Sequence, residues 1–100
     1  MTAIRYGSAP TANGGRYLQQ LCKHWSHKFA VEFDTTRGEI QLPTGRVVLT
    51  ARPDHLEATL TPTGDADLDR LKTVVEDHIN RFAFREAPLA FVWTNKDSEA

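Results

Sequence analysis

The chain has one cysteine and one methionine in 100 residues. A single thiol cannot close an internal disulfide, so a stapled secreted scaffold is excluded. Long apolar runs are missing too. The longest, Leu89 to Trp93, is far short of a membrane span. Met1 to Gly15 has no apolar signal core. An excess of charge of one sign is also lacking: Lys+Arg 12 faces Asp+Glu 13, for a net charge of −1. A nucleic-acid binder should carry a basic footprint, and a disordered tail a larger imbalance. What is present is 40% apolar residues, enough for one core. The expectation is a single domain spanning 1–100, ordered over about 2–94, cytoplasmic, with neither nucleic acid nor membrane as partner.

The period of the apolar residues divides the chain. Ile4 and Tyr6 alternate with Ala3 and Arg5, predicting a strand over Thr2 to Ser8. Pro10, Asn13, Gly14 and Gly15 break that pattern, and Ala9 to Gly15 reads as weakly organised. From Arg16 to Phe29, Tyr17, Leu18, Leu21, Cys22, Trp25 and Phe29 fall within an arc of about 140° on a helix. Period two then runs through Val31, Phe33, Ile40, Leu42, Val47, Leu49, Leu56, Ala58 and Leu60. Arg37-Gly38, Pro43-Thr44-Gly45 and Pro53-Asp54 separate these runs, giving a four-strand antiparallel meander with one apolar face. Leu68, Leu71, Val75, Ile79 and Phe82 form a second helical stripe, with Thr63 or Asp65 as N-cap and Pro88 as terminator. Leu89, Phe91 and Trp93 make a last strand, after which Asn95 to Ala100 should fray. The resulting α+β architecture is β-α-β-β-β-β-α-β, two layers, an antiparallel sheet with two helices on one face.

Cys22-x-His24-x-x-His27, with His78 further on, invites a metal reading. Cys22 and His24 lie about 160° apart on a helix and cannot chelate one ion. His24 and His27, at i and i+3, could share a ligand but make an incomplete site. Cys22 reads either as a small buried hydrophobe or as a thiol activated by His78 from the other helix. His78, Arg81 and Arg85 share one flank of the second helix. Arginine forks suit a carboxylate or phosphate, or the pair simply engages Glu76, Asp77 or Glu86. If the helix margins meet, His24, His27, His78 and Arg85 should line a common groove within about 10 Å of one another. His55 reads as a surface loop residue, and Trp25 and Trp93 as packing anchors.

Two stretches carry a family resemblance. Arg16-Tyr17-Leu18-Gln19-Gln20-Leu21-Cys22-Lys23-His24-Trp25-Ser26-His27-Lys28 and His78-Ile79-Asn80-Arg81-Phe82-Ala83-Phe84-Arg85-Glu86 resemble the two motifs of a bacterial family of small domains of unknown function. Its members occur alone or appended to siderophore-interacting flavin reductases. Ile79 stands where the family has leucine, and Gly14-Gly15 replaces its proline-containing lead. The resemblance implies iron, haem or ferric siderophore as cofactor or cargo, and a siderophore-interacting flavoprotein as partner. Three functions follow as expectations. The first is a non-enzymatic binding or accessory domain for an anionic or iron-bearing small molecule held by His24, His27, His78, Arg81 and Arg85. The second is an interaction module that docks on a flavin reductase or on itself through the polar sheet face around Glu32, Glu39, Arg46, Arg52 and Glu57. The third is a thiol or histidine enzyme using Cys22 or His78; no nucleophile elbow, paired-carboxylate site or phosphate-cradling loop accompanies it.

Overall fold

Each apolar run becomes an element in the computed structural model, which describes residues 3–64, 67–86 and 88–97. The order is β1 (Ala3–Pro10), α1 (Gly14–Trp25), β2 (Ala30–Phe33), β3 (Arg37–Leu42), β4 (Gly45–Ala51), β5 (His55–Pro62), α2 (Leu68–Phe82) and β6 (Val92–Asp97). All strands lie in one antiparallel sheet, in the order β2-β3-β4-β5-β1-β6. The meander β2 to β5 forms as its short turns require. The first strand then adds to β5, and β6 closes the far edge by pairing with β1.

Pairing register turns Ile40, Leu42, Val47, Leu49, Leu56, Ala58 and Leu60 to one face, where all are buried. Leu18, Leu21, Cys22 and Trp25 of α1 and Leu71, Val75 and Ile79 of α2 cover that face. The opposite face carries Glu39 between Arg46 (2.8 Å) and Arg37 (3.4 Å), and Glu57 beside Arg52 (3.3 Å). Tyr6 and Val92 also stand on it, Val92 with 69% of its surface exposed.

Several boundaries differ from the sequence expectation. Ala9 is fully buried opposite Leu56, so Ala9 and Pro10 extend β1 where a loose segment was expected. The first helix stops at Trp25 rather than Phe29. The Trp25 carbonyl accepts from the N–H groups of both Lys28 (3.0 Å) and Phe29 (2.9 Å), folding that stretch into a turn. Asp67, not Thr63, caps α2: its carboxylate accepts from the N–H groups of Asp69 and Arg70. Asp65, the other expected cap, lies outside the described residues. α2 ends at Phe82, three turn residues before Glu86, so Arg85 is not on the helix. The last strand is Val92–Asp97, and Leu89 and Phe91 precede it. Asn95 to Asp97, expected to fray, pair with Ala3 to Arg5, so partner strand rather than apolar content defines β6.

Trp93 is a packing anchor of this edge. Its ring sits over Gly7, where an added Cβ would meet ring carbons at 2.5–2.8 Å, and its Nε1 donates to Glu76 Oε1 at 2.9 Å. The β1–β6 edge is thereby tied to α2.

Candidate site at the seam of the two helices

α1 and α2 pack antiparallel on the sheet, so the end of α1 meets the middle of α2. There His24 and His78 bring their rings to 5.8 Å between centroids, and the Trp25 ring lies 4.9 Å from that of His78, tilted by 45°. The indole of Trp25 is 5% exposed and forms the floor; Phe82 meets His24 edge-on at 6.0 Å. His24, Trp25, His27, Lys28, Phe29 and His78 line one cleft of about 340 Å³. His27 reaches it from the turn after α1; Ser26 keeps right-handed helical angles (φ −63°, ψ −17°) and donates to the Cys22 carbonyl, so the i, i+3 spacing still brings His24 and His27 to one cleft.

His78 is oriented by its own helix. Its Nδ1 lies 2.7 Å from the Val74 carbonyl oxygen. A carbonyl only accepts, so Nδ1 carries the proton and donates. In the neutral ring the lone pair then belongs to Nε2. This is the arrangement by which a backbone carbonyl fixes the tautomer of a metal-ligating histidine. Among the described residues no group of three or more His, Cys, Asp and Glu side chains could hold a metal ion. The ring nitrogens that line this cleft belong to His24, Trp25, His27 and His78.

The expected arginines stand apart from this cleft. Arg85 lines a second depression of about 90 Å³ with Arg16, Tyr17, Gln20, Phe82 and Phe84, and its guanidinium lies 5.8 Å from the Phe84 ring. Arg81 is exposed in the last turn of α2 and lines neither. A larger hollow of about 410 Å³ on the outer side of α1, lined by Ala12, Asn13, Gly15, Arg16, Gln19, Gln20 and Lys23, has no aromatic floor and no imidazole.

Cys22 does not belong to the site. Its side chain is fully buried against β3, and Gly38 makes room for it: a Cβ on Gly38 would sit 2.5 Å from Cys22 Sγ. Burial pushes the thiol up to about 11. His78, the proposed activator, lies at the helix seam against Trp25 and His24, whereas the Cys22 Sγ packs over Gly38 of β3. Of the two readings of Cys22, the packed small hydrophobe fits this environment. Alkylation of the native protein at pH 8 is expected to be slower than that of the urea-unfolded chain by orders of magnitude; equal rates by mass spectrometry contradict the assignment.

Two polar clusters were not anticipated. Glu86, paired in the sequence reading with Arg81 or Arg85, instead accepts from Thr11 Oγ1 (3.0 Å), Asn13 Nδ2 (3.0 Å) and the Tyr17 hydroxyl. Thr11 Oγ1 in turn accepts from the Asn13 N–H at 3.1 Å. This knot ties the turn after α2 to the β1–α1 connection and holds the arginine end of the seam together. The signal was available: Tyr17 sits at the edge of the apolar arc, where a hydroxyl needs a partner. Donation from Tyr17, then Asn13, holds the Glu86 carboxyl below its ordinary range. A depressed carboxylate adds stability above the unfolded value near 4.3, and that stability goes as pH falls through the folded value. On acidification from pH 6 to 3 the wild type should lose more Tm than Glu86→Gln does. Parallel losses in calorimetry would show the knot to be energetically idle.

The second cluster surrounds His55, which opens β5 rather than a loop. Its Nδ1 lies 2.7 Å from Asp54 Oδ1 and its Nε2 3.1 Å from Glu57 Oε2. Both ring nitrogens face acceptors, so the hydrogen bonds that the ring donates to Asp54, and then to Glu57, raise the His55 pKa.

Fold and motif together define the class. Residues 6–94 match the family described as uncharacterized protein conserved in bacteria (DUF2218), and the chain belongs to that family. The NMR structure of PA4090 from Pseudomonas aeruginosa is similar, with 34% identity over 94% of this chain and 96% of that one, at a TM-score of 0.75. No curated protein matches the chain.

Proposed function

We propose that this domain is a non-enzymatic ligand-binding or accessory module whose helix seam accepts a small metal-bearing molecule. The observation that carries the reading is the His24–His78 pair, 5.8 Å apart over Trp25, with the Val74 carbonyl holding His78 so that Nε2 is its lone-pair atom. Two exposed imidazoles and the half-buried one of His78 are too few to strip a metal of its other ligands. They suit a metal that arrives already chelated and has a position open to nitrogen. Lys28 at the cleft adds positive charge for an anionic complex. Iron is the metal that the motif resemblance to domains of siderophore-interacting flavin reductases favours, and such a flavoprotein is the partner in this reading.

Binding is tested with Ni²⁺, a ferric hydroxamate complex and hemin, each followed by calorimetry and by Tm. A ligand at 100 times its Kd should add about 2.7 kcal/mol of stability. His24→Ala and His78→Ala should each remove the effect while His55→Ala retains it. No binding of any of the three up to millimolar concentration, with an unmoved Tm, defeats the proposal.

The sheet face supports a second reading, a docking module. Val92 and Tyr6 stand exposed on the face that no helix covers, among Thr59, Thr61 and Thr94. Charge reversal at Glu39 and Arg46 should weaken association with a flavin reductase or with a second copy, whereas His78→Ala should not. A monomer by light scattering that retains no reductase in a pull-down counts against it.

A further inference from the structure

The depression that Arg16 and Arg85 line is built by contacts that neither arginine makes. Ala83 is fully buried, and its carbonyl accepts from the Glu86 N–H at 2.8 Å, closing the turn that carries Phe84 and Arg85. The Glu86 carboxylate accepts from Thr11, Asn13 and Tyr17, so this turn is pinned to the start of α1. Arg85 is thereby held beside Arg16, with its guanidinium 5.8 Å from the Phe84 ring. A cation–π contact steadies a guanidinium without using any of its N–H donors.

The chain as a whole is nearly neutral, yet this corner is not. The hollow of about 410 Å³ adjoins the depression and shares Arg16 and Gln20 with it. Among the described residues the two are lined by three cations, Arg16, Lys23 and Arg85, and by no carboxylate. None of the three has a described acidic partner within 4 Å. Arg16 also stands in the first turn of α1, which holds no acidic residue, so the helix dipole opposes its charge. An anion at this point relieves that opposition. Arg16, Gln20 and Lys23 recur at i, i+4 and i+7, which sets three donor groups along one face of α1.

We propose that this corner binds a small polar phosphate monoester, its phosphoryl group in the depression between Arg16 and Arg85 and its hydroxyl-bearing remainder in the adjoining hollow. A depression of about 90 Å³ has room for a headgroup and not for a whole ligand. Two guanidiniums without acidic partners match the charge of a phosphate monoester at pH 7, about −1.5 to −2, better than the single charge of a carboxylate. The hollow is polar: Gln19 Nε2 donates to the Gly15 carbonyl at 3.0 Å, which leaves its Oε1 to accept from a hydroxyl, and Gln20 and Lys23 offer donors. This site shares no lining residue with the histidine cleft and stands independently of how that cleft is read.

The test titrates the full chain at low salt with glycerol phosphate, inorganic phosphate and acetate, followed by amide NMR and calorimetry. Glycerol phosphate should bind most tightly, with saturable shifts at Arg16, Gln20, Lys23 and Arg85. Inorganic phosphate should follow, and acetate should bind on the order of tenfold more weakly than phosphate, as for the loss of one charge-assisted contact. Arg16→Gln/Arg85→Gln should weaken glycerol phosphate binding on the order of tenfold, as for two solvated ion pairs. Arg46→Gln on the sheet face and His24→Ala/His78→Ala should leave it unchanged. Both arginines are exposed, and an unchanged Tm of the glutamine variant verifies its fold. If that variant melts early, Arg16→Lys/Arg85→Lys replaces it; this pair keeps the charges, loses the forks, and should still bind several-fold more weakly than wild type. Equal glycerol phosphate affinity in wild type and arginine variant overturns the proposal. So do shifts that never saturate, acetate binding as tight as phosphate, and glycerol phosphate binding no tighter than inorganic phosphate.

Discussion

Replacing Trp25 by alanine is expected to destabilise the domain by about 3–5 kcal/mol, the range for truncating a large buried aromatic. Trp25 is 5% exposed, ends α1, and carries the turn whose two hydrogen bonds lead into β2. Its ring also borders that of His78, at 4.9 Å and tilted by 45°. The substitution should therefore act twice. It empties volume between α1 and the sheet, and it removes the floor of the cleft. Trp25→Phe, which keeps an aromatic plane, should recover most of the stability and part of any metal-complex affinity. Chemical denaturation of the three proteins measures the first effect, and a loss under about 1 kcal/mol for the alanine variant would place the indole outside the core.

Gly38→Ala is the second large effect, and its sign depends on Cys22. The new Cβ would sit 2.5 Å from Cys22 Sγ, whereas Leu18 Cδ1 and Phe33 Cβ stand at an ordinary 3.5 Å. Sulfur is the sole obstruction among these neighbours, and overpacking of this kind costs about 1–3 kcal/mol. Gly38 does not have a positive φ. Once Cys22→Ala removes the sulfur, Gly38→Ala should become neutral or stabilising by about 0.4–1 kcal/mol, because alanine narrows the unfolded ensemble. The double-mutant cycle should then show a coupling of about 0.5–3 kcal/mol. Additive losses would mean that Gly38 is required for a reason other than the thiol. The same cycle bears on chemistry, since a cysteine whose Sγ fills the space above a glycine in a sheet is placed for packing.

The architecture was legible because burial and periodicity coincide. Val47, Leu49, Leu56, Ala58 and Leu60 alternate in sequence and all are fully buried. Where the two part company, boundaries moved. Ala9 is too small to mark a strand and Asn95 to Asp97 are polar; pairing with Leu56 on one side and with Ala3 to Arg5 on the other is what makes them strand. Side-chain convergence was legible only as far as the helices run. His24 and His78 lie on α1 and α2, and wheel positions locate them, with His27 carried along by the helical angles of Ser26; Arg85 lies three residues beyond the end of α2, where a wheel no longer applies. The Glu86 knot joins residues 69 to 75 positions apart, a separation no local pattern reports.

The most direct test of the account is a titration with substoichiometric Ni²⁺, followed through the imidazole ring resonances by NMR. Before metal, His78 should show the Nδ1-protonated tautomer imposed by the Val74 carbonyl. On addition, the Nε2 signals of His24 and His78 should broaden first and together, with His27 following. His55, clasped by Asp54 and Glu57, should stay sharp. Uniform broadening of all four histidines, or broadening that begins at His55, would contradict a site at the helix seam.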